Sequence, residues 1–359
     1  MHVLLALALT ASAAEPSAIP APEPTVLLQT FATLFDQDEQ RQADPAGYGD
    51  PEADIGFSVQ RARVGLVGEN EHFAYDLTVG ASAPYDALST GNTNVRIVNA
   101  WAAAKTASDT QSFELRFGTQ RVPFGREGLQ SIKDNPYFER SVGVELPTPG
   151  YQTGALLDWQ LDAGLRVRAG AFNGTSASSG LFGDDNNGLM FSGRVEFAKG
   201  DMYARIPEAG TYGIAASAYH NTDVAVTTLG LGGDLFARVG PLVASFELGH
   251  VGLNPVRNTV ATPPVNERTS RLGMTGQLAV VMEQDKGATQ ISARVSTYDD
   301  NHALSDNGDV AIAHLGVTRW DLLPGFDVGG GFIHRQELGG RTIPNDTARL
   351  WAQVRWPHS

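Results

Sequence analysis

Charged side chains recur in this sequence two residues apart. Arg61 and Arg63, Glu114 and Arg116, Arg166 and Arg168, and Arg194 and Glu196 form such pairs, and Asp76 stands between Tyr75 and Leu77. In an extended chain a spacing of two puts both members of a pair on one face. Arginines and carboxylates arranged this way are not equipped to break bonds. They set a field along a surface. A second group of charges is concentrated between residues 121 and 140: Arg121, Arg126, Glu127, Lys133, Asp134, Glu139 and Arg140.

Bond-making chemistry finds no matching pattern. The chain has no P-loop, no G-x-S-x-G elbow and no H-E-x-x-H. It has no cysteine, which excludes disulfide frameworks, thiolate metal sites and cysteine nucleophiles together. Ser217 and His220 are the nearest approach to a hydroxyl nucleophile beside a base, but their odd spacing puts them on opposite faces of a strand. The eight histidines are scattered, and His220, His250, His314 and His334 fall within alternating segments. Asp184-Asp185-Asn186-Asn187 and Asp299-Asp300-Asn301 supply oxygen donors without the spaced carboxylates and terminal Glu of a calcium loop. They read as solvated loops, so no metal and no cofactor is expected. A net charge of −14 argues against nucleic-acid binding, because phosphate contact needs a basic face.

The charges must be positioned by strands. Phe73, Tyr75, Leu77 and Val79 alternate with Ala74, Asp76, Thr78 and Gly80, and Phe113, Leu115 and Phe117 alternate with Glu114, Arg116 and Gly118. The same period of two recurs along the chain and predicts sixteen strands: 25–35, 56–67, 72–82, 95–106, 111–122, 151–160, 163–173, 188–199, 211–221, 226–239, 242–252, 270–283, 287–299, 309–321, 325–336 and 346–356. Very short connections, such as Leu161-Asp162 and Gly240-Pro241, alternate with long ones at 36–55, 123–150, 174–187 and 253–269. The polar faces mix Gly, Ser, Thr, Gln, Arg and Asp, which suits a crowded aqueous lumen better than the Lys/Glu-rich outside of a sandwich. The apolar faces are Leu, Val, Ala and Phe, which suits lipid. The expected fold is therefore all-β: a 16-stranded antiparallel transmembrane barrel with short periplasmic turns and long extracellular loops.

Two strands carry extra information. Between Phe57 and Leu66 the apolar parity changes midway: with Arg61 and Arg63 facing the lumen, Phe57 and Val59 need either a bulge or a position above the membrane. Ala348, Leu350, Ala352, Val354 and Trp356 share one face of the last strand, and an aromatic near its end resembles the signal read by the outer-membrane insertion machinery. Aromatics near strand ends (Tyr75, Trp101, Tyr137, Trp159, Tyr219, Trp320 and Trp356) are expected to include interfacial girdle residues, whereas Trp351 has lumen parity. At the N-terminus, the apolar run Val3–Leu9 and the small residues Ala11-Ser12-Ala13-Ala14 predict a signal peptide over 1–14, followed by a Pro/Ala-rich linker over 15–24 and a single barrel domain over 25–356.

Three segments resemble the phosphate-selective porin O and P family. Arg61-Ala62-Arg63-Val64-Gly65-Leu66 is similar to an early strand of that family. Phe117-Gly118-Thr119-Gln120-Arg121-Val122-Pro123-Phe124-Gly125 is similar to a strand end that closes on P-F-G. Glu139-Arg140-Ser141, with Gly170-Ala171-Phe172-Asn173-Gly174 after it, is similar to a third block, and the three occur in the family's order. The resemblance implies a 16-stranded, usually trimeric barrel of the Gram-negative outer membrane, with a narrowed pore for small hydrophilic solutes or ions, including anions such as phosphate. An outer-membrane hydrolase on a barrel and a plugged structural or adhesive barrel are the alternatives.

Within that frame the lumen-facing residues are expected to be Arg61, Arg63, Asp76, Glu114, Arg116, Arg166, Arg168, Arg194 and Glu196. Their mixed signs predict weak or modest ion selectivity. Residues 123–150 are too long for a simple connection and carry Leu129, Ile132, Tyr137, Phe138, Val142, Val144 and Leu146, so they are expected to fold inward and narrow the pore. Arg121, Arg126, Lys133, Glu139 and Arg140 would then form the constriction, with Arg140 its leading member and charge reversal at Arg140 and Lys133 favouring cations. The partners expected are outer-membrane lipid, the assembly machinery, small solutes or ions and two further copies of the chain.

Overall fold

The computed structural model describes residues 19–36, 55–82, 94–174, 188–222, 226–255, 269–302, 308–340 and 345–357. The signal and residues 15–18 of the linker, and Asp184–Asn187, lie outside the described residues. Sixteen strands occur in the order β1 Glu23–Asp36, β2 Gly56–Glu69, β3 Phe73–Ser82, β4 Asn94–Ser108, β5 Gln111–Arg121, β6 Tyr151–Leu161, β7 Leu165–Phe172, β8 Met190–Lys199, β9 Tyr212–Thr222, β10 Val226–Val239, β11 Leu242–Pro255, β12 Thr269–Glu283, β13 Ala288–Asp299, β14 Val310–Leu323, β15 Phe326–Glu337 and β16 Asn345–Trp356. Each strand pairs antiparallel with its sequence neighbours, and β16 returns to β1, with Val26 opposite Trp356, to close the barrel. Closure leaves no unpaired sheet edge, the condition for a β-structure in lipid. Among the described residues no helix is long and apolar enough to cross a membrane.

The outer wall is apolar because the alternation runs through every strand. Leu229, Leu231 and Leu235 on β10, Ile214 on β9 and Phe191, Val195 and Phe197 on β8 are all exposed, while Asp234, Ser217, Arg194 and Glu196 between them are buried. A belt of exposed large side chains is a lipid-facing surface, not a soluble one. The β2 parity change is met by a bulge at Gln60, where the register with β1 slips between Gln29 and Thr30. It lets Phe57 and Val59 stay outward while Arg61 and Arg63 turn inward. The purified, folded barrel is expected to migrate differently on a denaturing gel before and after boiling; a helical circular dichroism spectrum would contradict the fold.

The aromatic girdle is smaller than strand position alone suggests. Tyr75 shares the outward face of Phe73 and Leu77 and donates to the Pro20 carbonyl at 3.1 Å. Trp159 stacks on Phe113 at 5.6 Å, and Trp356 is exposed. Tyr137, Tyr219 and Trp320 are instead buried inside the barrel, and Trp101 lines an internal cavity. For Trp101 the cause is a register slip between β3 and β4, at Thr78/Val79, which changes the parity of β4. For the others it is an internal core. Phe31, Tyr137, Phe138, Met202, Phe236, Val243, Val281, Trp320 and Trp351 pack together within the lumen, at roughly 1.5–3 kcal/mol per buried large side chain. Of the histidines in strands, His314 joins this interior, its ring 4.0 Å from that of Tyr137, while His220, His250 and His334 are exposed.

Candidate functional site

Residues 122–150 leave β5 and enter the lumen, carrying the short helices α1 Arg126–Leu129 and α2 Val142–Glu145, with a 3-10 turn at Ile132–Asp134 between them. The P-F-G segment makes the entry. Phe124 is buried against Tyr219, with ring centroids 5.2 Å apart. Gly125 adopts φ +69, where a side chain would also run into the Glu247 carboxylate. α2 then lies on β11, β12 and β13. Gly143 meets the backbone of Met274 there so closely that a Cβ would collide with its carbonyl. Gly143→Ala must therefore lift α2 from the wall, at a cost of about 1–3 kcal/mol, seen as a lower thermal midpoint with the barrel still closed.

Glu127 is the hub of the loop. Its carboxylate accepts from the Ser141 amide at 2.8 Å, the Ser141 hydroxyl at 2.7 Å, Asn135 Nδ2 at 2.9 Å and Arg294 Nη1 at 3.2 Å. Thr275 on β12 donates to the Ser141 hydroxyl at 2.7 Å. The Glu139-Arg140-Ser141 segment thus works as three separate ties. Glu139 accepts from Arg349 on β16 and Gln60 on β2, both at 3.3 Å. Arg140 donates to the carbonyls of Glu127 and Gln130 at 2.9 and 2.8 Å, and Ser141 joins the hub. Phe138 sits at φ 56, uncommon for a residue with a Cβ. Its ring packs near Trp320 and Trp351, and its carbonyl accepts from Arg61 at 2.6 Å.

The loop divides the lumen. Against β8–β16 and β1 it is packed tight, and the charges there are mostly matched. Arg194 grips Asp234 through two bonds at 2.5 and 2.9 Å and lies 3.2 Å from Glu196. Arg355 pairs with Asp327 at 3.1 Å, and Arg349 with Glu139. On the β2–β7 side a cavity of about 350 Å³ stays open, lined by Arg63, Arg116, Arg121, Arg140, Arg166 and Arg168 against Asp76 and Asp158. Trp101, Tyr151 and Tyr203 also border it, each close to an arginine: Arg116 lies 4.0 Å from the Trp101 ring, Arg121 4.5 Å from Tyr151 and Arg168 5.3 Å from Tyr203.

The expected residues therefore divide. Arg63, Asp76, Arg116, Arg121, Arg140, Arg166 and Arg168 come together around the cavity. Glu114 pairs with Arg116, whose Nε donates to it at 2.8 Å. Arg61 serves the loop backbone, Arg194 belongs to the packed region, and Glu196 stands between Arg194 and a cavity at the short-turn end. Arg126 donates to the Met202 carbonyl at 2.9 Å and lies 5.0 Å from the Phe236 ring, and the Lys133 carbonyl accepts from Gln353 at 2.9 Å. Neither Arg126, Lys133 nor Glu139 lines the cavity. Arg140 does so while holding the loop. Burial pulls its guanidinium down to about 10 and Arg121 adds to this, yet the group stays charged at neutral pH. Burial pushes the Glu145 carboxyl up, but Arg140, Arg121 and Arg61 outweigh it and hold it below the ordinary carboxylate range. Period two could not find Tyr203, which sits outside any strand. It lies in the only gap between predicted strands that is long at the short-turn end.

A sequence profile of the phosphate-selective porin O and P family matches residues 35–225. No curated protein matches the sequence significantly. The trimer form of OmpT, an outer membrane protein of Vibrio cholerae, superposes with a TM-score of 0.56 at 11% identity, covering 94% of this chain and 100% of its own. DcaP, an outer membrane channel of Acinetobacter baumannii, gives 0.55 at 12%, covering 94% and 96%. An anion-selective porin from Comamonas acidovorans gives 0.56 at 9%, covering 94% and 99%. At these identities the likeness is one of fold.

Proposed function

The chain belongs to the phosphate-selective porin O and P family, and from that premise we propose that it is an outer-membrane channel for passive diffusion of small hydrophilic anions. The observation that carries the anion preference is the lining of the open cavity, six arginines against two aspartates. Counting Glu114 behind Arg116 and Glu145 near Arg140 still leaves six against four. The weak or modest selectivity expected from the sequence assumed that every inward charge meets the solute. Asp234 and Glu127 instead neutralise arginines in the packed half. A lining of one dominant sign raises the local concentration of counter-ions. The description of a similar barrel as an anion-selective porin supports the same reading.

Catalysis forms no part of the proposal. Ser217 is buried within the wall and His220 is exposed on the other face, so they cannot act as nucleophile and base. We further propose a homotrimer, in keeping with the trimer form described for OmpT of Vibrio cholerae, and removal of residues 1–14 on export, leaving 25–356 as one barrel domain assembled by the outer-membrane machinery. Cross-linking in detergent tests the first and N-terminal sequencing of the mature protein the second. The test of function is a planar bilayer holding the purified protein in a potassium chloride gradient. The reversal potential should have the sign of chloride permeation. A cation-sign potential would reject the anion reading, and a properly inserted barrel without conductance would favour the plugged alternative.

A further inference from the structure

At the short-turn end the connections run two to four residues, except that between β8 and β9, residues 200–211. This segment folds into the lumen. Met202 is buried in the internal core. The carbonyls of Met202, Tyr203 and Ala204 accept from Arg126 at 2.9 Å and from Gln130 at 3.3 and 3.5 Å, both on the loop. Arg205 ties Asp134 of the loop to Asp321 of β14, each at 3.2 Å, and Arg238 of β10 donates to the Pro207 carbonyl. The backbone of 202–207 is thus held by both the loop and the wall.

From this brace the Tyr203 phenol projects toward the open side. Its oxygen accepts from Arg168 Nη1 at 3.2 Å and donates to Glu196. Two cavities border it: the arginine-lined one of about 350 Å³ and another of about 650 Å³ at the short-turn mouth, bordered by Asp162, Glu196, Lys199 and Asp201 among others. Arg166 and Tyr203 are the two residues that border both.

We propose that segment 200–211 forms a second, exit constriction of the channel, with Tyr203 and Arg166, which border both cavities, as specificity-determining residues. The proposal rests on the reading of the arginine-lined cavity as the solute passage. The ties on either side of Tyr203 keep its ring from swinging aside, so the constriction selects by size. Arg166 is held by Asp158 through Nε and Nη2 at 2.7 and 2.6 Å, which fixes its guanidinium beside the phenol and leaves Nη1 to meet a passing anion. The Glu196 carboxylate is engaged by Tyr203 and Arg194. Small anions are the class of solute that fits both features.

Because the chain has no cysteine, Tyr203→Cys introduces a single thiol. Sulfonatoethyl methanethiosulfonate added to bilayers holding this variant is expected to cut the current by roughly half or more, with reversal by a reducing agent and no effect on the wild type. Trp101→Cys, inside the cavity, should be blocked as well. Should Tyr203→Cys not assemble, Arg166→Cys puts the thiol at the other residue that borders both cavities. Current that persists after mass spectrometry confirms modification overturns the exit constriction. So does a thiol at 203 that stays unmodified while Trp101→Cys is blocked. If modified Trp101→Cys also conducts normally, the passage itself has been misassigned.

Discussion

Glu127→Ala is expected to release the inward loop and raise single-channel conductance toward that of a barrel lacking residues 127–146. The side chain is buried, and its carboxylate holds together Ser141, Asn135 and Arg294, three positions that nothing else joins at one point. Its removal leaves Arg294 without its carboxylate inside a packed region. Breaking a buried pair from one side costs about 3–5 kcal/mol, and each orphaned buried donor adds about 1–3 kcal/mol. The closed strand ladder does not depend on Glu127, so the loss falls on the loop and its seat against β12. The barrel should remain heat-modifiable while the loop becomes open to protease. Glu127→Gln keeps an acceptor for Ser141 but not the charge for Arg294, and should fall between. An inserted Glu127→Ala barrel with unchanged conductance and unchanged proteolysis would mean the loop is seated by its apolar contacts alone.

The second large effect is on selectivity. Arg63→Glu with Arg121→Glu turns a cavity lining of six arginines and two carboxylates into four and four. A unit charge ~4 Å from an ion contributes about 1 kcal/mol even at the dielectric constant of bulk water, so the anion preference should vanish or reverse. The change should be largest at low salt, since the screening length is ~10 Å at 0.1 M and longer below it. Lys286→Glu, on an exposed turn at the barrel end, provides the control and should leave the reversal potential nearly where it was. A double variant that keeps the wild-type potential would show that solutes do not pass between β2–β7 and the loop. Reversal at Arg140 and Lys133, which the sequence favours, is a poorer test. Arg140 is buried and holds two loop carbonyls, against the single Gly128 carbonyl that Arg121 holds, and Lys133 does not border the cavity, so that change would disturb the loop more and the field less.

Most of the barrel is determined by sequence alone, because a strand has one strict period and lipid demands one apolar face. All sixteen strands lie within three residues of their predicted bounds. The break in parity before Arg61 leaves a bulge or a position above the membrane, and a bulge occurs at Gln60. The inward course of 123–150 is legible for a similar reason: a long segment rich in Tyr137, Phe138 and Val142 must bury them, and the lumen is the available place. Period two also tells which charges face inward, but not which of them a solute meets. That was decided in three dimensions, when the loop chose one half of the lumen. Packing there consumed Glu127, Asp234 and Asp327 in ion pairs and left the arginines of β2, β5 and β7 beside open space. Tyr203 and its brace are a purely tertiary result. Their partners lie on α1, the loop and β14, far apart in sequence, and they meet because the barrel brings its two ends to one interior.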